Sequence, residues 1–136
     1  PNGQWAWRPI HLLVELAITH AFPEDTPTPR QQFFLAVVMR AVGDAFHPIL
    51  QCEPHHRMDA IRFLQREDRL GPWMYAIGLE PGYLWRLLEE MLPEPPQDIL
   101  NRTYEATFAQ YKRKEDAQRA ESRAKTQTRR ESRNKR

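Results

Sequence analysis

Prolines set the strongest limit on what this chain can become. All twelve fall within the first 96 residues, and with the five glycines they divide the apolar sequence into stretches of helical length. A proline takes a donor out of a β-ladder and an i→i−4 bond out of a helix, so elements must begin or end near most of them. Between the prolines, apolar residues recur every three or four positions. No stretch shows sustained two-residue alternation bounded by hairpin signals. The expectation is an all-α protein without internal repeats. It comprises a small helical domain over 1–96, a packed C-terminal helix over 97–111 and a basic arm, helical or disordered, over 112–136.

The first stripe is Ile10, Leu13, Val14, Ala17 and Ile18, with Pro9 at a first-turn position where its missing N–H costs nothing. The loop from Pro23 to Pro27 cannot continue that helix. Thr28 is placed to cap a second helix that opens on Pro29 and runs to about Phe46. Its expected inner residues are Phe33, Phe34, Val37, Val38, Ala41, Val42, Ala45 and Phe46. After a connection between Pro48 and Pro54, a third helix over about 56–67 should bury Met58, Ile61, Phe63 and Leu64. Two short apolar segments follow at 70–77 and 81–92. Pro93, Pro95 and Pro96 then close the body. Asp98 can cap a last helix whose inner face is expected to be Ile99, Leu100, Tyr104, Phe108 and Tyr111.

Charge is divided unevenly along this frame. Residues 112–136 hold 11 Lys/Arg and 4 Asp/Glu, a net of +7, while residues 1–111 hold 9 and 14, a net of −5. A one-signed basic extension on an acidic body suits a polyanionic partner, and its arginines suit phosphate geometry. The residues assigned to phosphate contact are Lys112, Arg113, Lys114, Arg119, Arg123, Lys125, Arg129, Arg130 and Arg133. The competing explanation is a solvated tail with no partner. A single cysteine, Cys52, excludes an internal disulfide framework and fits a reducing compartment. No apolar run approaches the ~20 residues of a membrane span, and no signal-peptide layout opens the chain. Pro1 fits the residue left after an initiator methionine is removed. A cytoplasmic protein that makes no membrane contact is expected.

Residues 70–92 carry the features of a helix-turn-helix in order. Gly78 can take the turn, Leu79 can pack beneath it, and Pro81 opens the next helix, with Leu84, Leu87 and Leu88 turned inward. Met74 is bulkier than the alanine such packing prefers. The second helix offers Arg86 and Tyr83 to a nucleic acid, but Glu89 and Glu90 would repel phosphate. Two core helices joined by an ordinary glycine turn would read the same way.

Residues 59–88 also resemble a pattern in small regulators of tailed phages, prophages and gene transfer agents. An Asp59-Ala60 pair opens a helix with the aromatic–aliphatic pair Phe63-Leu64. The turn Gly78-Leu79-Glu80-Pro81 follows, and then a helix bearing Arg86. The resemblance implies transcription regulation of phage-type genes, by Q-type antiterminators in some members and activators in others. RNA polymerase and DNA or nascent RNA would be the partners. Two alternatives stand beside the antiterminator reading: a sequence-specific DNA-binding activator, and a small terminase or packaging subunit.

Little points to catalysis. Glu67-Asp68 and Glu89-Glu90 are adjacent pairs that diverge on a helix, and no nucleophile elbow, phosphate-cradling glycine loop or HExxH is present. No enzyme activity and no cofactor are expected. His47, Cys52, Glu53, His55 and His56 form a metal-like cluster, yet the chain has neither a second cysteine nor a second Cys/His half to complete it, so no metal is assigned. His55 and His56 read instead as helix-start residues beside Arg57. His11 and His20 read as isolated on helix faces. Trp5 and Trp7 read as either a lid on the bundle or a partner anchor.

Overall fold

The computed structural model describes residues 10–21, 27–46 and 52–135. Six helices lie among them, with no strand: α1 (Ile10–Ala21), α2 (Pro29–Phe46), α3 (Pro54–Gln65), α4 (Glu67–Ile77), α5 (Pro81–Met91) and α6 (Pro96–Asn134). Pro29, Pro54, Pro81 and Pro96 each begin a helix, where a missing N–H leaves no bond unmade. The residues before three of them, Glu53, Glu80 and Pro95, have ψ of 141°, 145° and 130°, the extended backbone that a following proline imposes. Pro9 and the Pro23 and Pro48 connections lie outside the described residues, as do Trp5, Trp7 and His47.

Thr28 caps α2 as expected, and the cap is reciprocal. The Gln31 N–H donates to Thr28 Oγ1 at 3.2 Å, and the Thr28 N–H donates to Gln31 Oε1 at 2.9 Å. Two of the donors orphaned at the helix start are thereby satisfied.

Helix α2 is the hub, packing against α1, α3, α4 and α6, while α5 bridges α1, α4 and α6. Val38 and Val42 of α2 are wholly buried, together with Val14, Ile18, Ile61, Met74, Ile77, Leu84, Leu88 and Leu100. Each such side chain contributes about 1.5–3 kcal/mol by leaving water. Met74 fills the core rather than obstructing it; its flexible thioether adapts to the space under the turn.

Three inner faces differ from the sequence expectation by a fraction of a helical turn. On α2 the buried residues are Leu35, Val38, Met39, Val42, Gly43, Ala45 and Phe46, and Phe33 is 62% exposed. On α1, Leu13 is exposed beside Leu12 and Leu16. On α6 the inward residue beyond Leu100 is Thr107, whose hydroxyl donates to the Thr103 carbonyl at 2.6 Å, while Phe108 turns to solvent. In each case the placement of the neighbouring helices sets which side is hidden, and that placement is a tertiary property that apolarity alone does not report.

The break between α3 and α4 comes at Arg66, earlier than periodicity suggested, and α4 runs through Pro72. Glu67 and Asp68 occupy its first turn, where carboxylates favour the positive helix end. Arg66 forks onto Asp68 at 3.1 and 2.9 Å, and this hydrogen bonding holds the Asp68 carboxyl below its usual range.

Candidate nucleic-acid interface

Helix α6 is one continuous element of 39 residues, about 58 Å long. Its first half is seated: Ile99, Leu100 and Thr107 are buried, and Tyr104 and Tyr111 are half-buried. The side of α3 carries it, with the start of α3 meeting α6 in a cleft lined by Glu53, Pro54, His55, Tyr111, Lys114 and Glu115. There Lys114 Nζ lies 2.9 Å from Glu53 Oε2 and donates to it. That bond, and the charge behind it, lower the Glu53 pKa. The arm therefore begins beyond this contact. From Asp116 to Lys135 every residue is exposed.

The helix continues without a core because its composition permits it. Ala, Glu, Gln, Lys and Arg lose little side-chain freedom in a helix. Glu115–Arg119 and Glu121–Lys125 pair one turn apart, with the acid on the favourable N-terminal side. Arg133 stands in the last turn, where a cation complements the helix end. The cations from 112 to 130 lie too far from that end for the dipole to explain them.

All nine basic residues assigned from the sequence to phosphate contact, Lys112 through Arg133, lie on this helix and are exposed. Lys114, Arg119 and Lys125 have carboxylate partners, whereas Lys112, Arg113, Arg123, Arg129, Arg130 and Arg133 have none among the described residues. Exposed ion pairs of this kind are worth about 0–1 kcal/mol, so a phosphate can displace the carboxylate at little cost. At about 100° per residue, Lys112, Arg119, Arg123 and Arg130 stay within about 20° of one line along the helix. The line is about 27 Å long and points away from the seated face. Ser122, Thr126 and Gln127 border it around Arg123 and Arg130, forming a shallow hydroxyl- and amide-lined surface.

Arg86 and Tyr83 are not part of this surface. They pair with each other on α5, the guanidinium 5.9 Å from the ring centre. The exposed positions around them include Glu80, Glu89 and Glu90, so acids outnumber the one cation there. Between α4 and α5, Gly78 takes φ 99° and closes a Schellman turn. Its N–H donates to the Met74 and Tyr75 carbonyls at 3.1 and 3.0 Å, and the Leu79 N–H donates to Met74 at 3.0 Å. Half-buried Leu79 packs against the core beneath it.

Several polar residues were not singled out by their sequence. Gln31 Nε2 donates to the Ile77 carbonyl at 3.0 Å, linking the start of α2 to the end of α4. Arg62 of α3 lies 5.1 Å over the Tyr104 ring and donates to its hydroxyl. Gln65 Nε2 donates to Gln97 Oε1 at 3.1 Å and Asn101 Oδ1 at 2.9 Å. A sequence signal for the α6 members did exist: positions 97, 101, 104, 108 and 112 keep the helical period into the arm. Among the described residues no three His, Cys, Asp or Glu side chains approach closely enough to hold a metal ion. His55 and His56 stand together, ring centres 4.1 Å apart, and burial raises the Cys52 pKa. No helix among the described residues is long and apolar enough to cross a membrane.

The chain matches no family model, no curated protein and no solved structure.

Proposed function

We propose that this protein is a non-catalytic regulator that binds nucleic acid through α6 and a protein through its helical body. One observation carries the reading: a helix rooted in the core presents an exposed line of cations, Lys112, Arg119, Arg123 and Arg130, of which only Arg119 has a carboxylate partner among the described residues. Contacts of this kind supply affinity and position rather than sequence choice. The resemblance over residues 59–88 directs the reading to transcription of phage-type genes, with RNA polymerase as the protein partner in the manner of an antiterminator. The acids around Arg86 favour this over an activator that reads the major groove with α5, since phosphate is repelled there.

Co-purification from cell extract with and without nuclease is the decisive experiment. Polymerase retained after nuclease supports the reading, and a ring-forming oligomer without polymerase would move it to a packaging subunit. In vitro, ~4–6 phosphate contacts predict a log K against log salt slope of roughly −4 to −5 on duplex DNA. Changing Lys112, Arg119, Arg123 and Arg130 together to Gln should remove most of that binding. Full binding by this variant would refute the role of α6.

A further inference from the structure

We propose that the nucleic acid carried by α6 is single-stranded, its bases stacking on Phe108 and Tyr104 while its phosphates follow the line from Lys112 to Arg130. The inference rests on the nucleic-acid reading above and narrows it to a ligand class.

Phe108 is 45% exposed on a helix that had buried positions available, and it lies one turn before Lys112. Its ring is nearly parallel to that of Tyr104, 8° between planes and 6.5 Å between centres. Tyr104 is held in place by Arg62, which covers one side of the ring and bonds its hydroxyl. Arg62, Gln65, Asn101, Tyr104 and Glu105 line one shallow depression. Its amides keep N–H and C=O capacity beyond the bonds they make to each other, which suits the edges of an unpaired base.

The register of α6 joins these parts. Gln97, Asn101, Tyr104, Phe108, Lys112, Arg119, Arg123 and Arg130 fall on one side of the helix, within about 50° of a common line. Amides come first, then flat rings, then cations. From Tyr104 to Arg130 the stripe runs about 39 Å. At a stacked rise of about 3.4 Å per nucleotide, that length takes roughly eleven nucleotides. Aromatic faces combined with a cationic track are how proteins hold single strands without reading sequence. Glu105 and Glu115 also fall within the stripe and Asp116 borders it; Glu115 is tied to Arg119, and past Asp116 the stripe carries no acid.

Duplex DNA fits less well. Its base faces are hidden in the stack, leaving the exposed rings without a partner. A helical protein partner also fits less well. Past Tyr111 the apolar side chains of the helix are Ala117, Ala120 and Ala124, too few and too small for a coiled-coil seam.

The test is fluorescence anisotropy with the full chain and labelled 20-nucleotide poly-U and oligo-dT, against a 20-base-pair duplex at the same salt. Wild type should bind the single strands more tightly than the duplex. Phe108→Ala should weaken single-strand binding about 5- to 100-fold while leaving duplex binding, salt slope and melting temperature unchanged. Phe108→Leu keeps bulk without a π face and should fail equally, and Phe108→Trp should restore binding. Single-strand binding by Phe108→Ala or Phe108→Leu within twofold of wild type would overturn the stacking role. So would an equal loss on duplex. If the Gln variants at Lys112, Arg119, Arg123 and Arg130 lose binding while Phe108→Ala does not, phosphate contact stands and stacking falls. If wild type binds neither form, the underlying nucleic-acid reading falls as well. Loss of a captured protein by Phe108→Ala with poly-U binding intact would assign the rings to a protein contact instead.

Discussion

Replacing Gln31 tests how the α4–α5 unit is held on the body. One amide does two jobs there: its oxygen accepts the Thr28 N–H at 2.9 Å, and its nitrogen donates to the Ile77 carbonyl at 3.0 Å. Gln31→Ala removes both bonds, each worth about 1 kcal/mol net. The capping bond is exposed and counts at the low end, and alanine regains a few tenths by helix propensity. The net loss should be about 1–1.5 kcal/mol. For a body of this size that corresponds to a melting shift of roughly 5–10 °C. Gln31→Glu separates the two jobs. It keeps the cap and gains about 0.3–1 kcal/mol from a carboxylate at the helix start, but it loses the donor to Ile77. Its stability should fall between wild type and Gln31→Ala. Amide exchange at Gly78 and Leu79 should nonetheless speed up in both variants. Urea unfolding followed by tryptophan fluorescence gives the energies, and a shifted midpoint at unchanged m would confirm a stability effect. If Gln31→Ala stays within about 0.3 kcal/mol of wild type, or exchange at the turn does not change, the link between α2 and α4 is not a stabilising one.

Two further outcomes are expected. A Cβ at Gly78 would meet Gln31 Nε2 at 3.7 Å, an ordinary contact, so φ alone sets the cost of substitution. Gly78→Val should cost about 1–3 kcal/mol in urea unfolding, and a neutral result would exclude the left-handed turn. Glu53 titrates below the ordinary 4.5 because Lys114 bonds and attracts its carboxylate. The tie between arm and body is therefore present above that value and is lost as pH falls through the depressed folded pKa. Lys114→Gln should move Glu53 back toward 4.5 in an NMR titration, and an unmoved Glu53 would show that the pair does not form in solution.

Much of the backbone was readable from residue order, and the reasons are local. A proline at the first helical position is tolerated whatever surrounds it, so Pro29 and Pro81 marked helix starts correctly. Pro54 and Pro96, read as the ends of connections, are themselves first helical residues, and Asp98 sits in the first turn of α6 rather than at its cap. Thr28 is a cap and Gly78 a left-handed turn because short side chains or none suit those backbone angles. Arg66 was less readable. Periodicity carries past it, and only the extended backbone there shows that α4 starts afresh on Glu67. The basic residues of the arm were readable one by one from charge. Their alignment into a stripe required the helix to continue past its last packed residue.

Chain order alone established the helical class, the helix starts at Pro29 and Pro81, the Gly78 turn and the concentration of positive charge after Tyr111, since each follows from chemistry within a few neighbouring residues. Three-dimensional packing settled which side of each helix is hidden. Phe108 and Thr107 are adjacent, and the hydroxyl went inward while the ring went out because the seam against α3 runs that way. The same packing joined Gln31 to Ile77 across 46 residues and Arg62 to Tyr104 across 42. Contacts at that separation depend on where whole helices come to rest, and no local pattern encodes that.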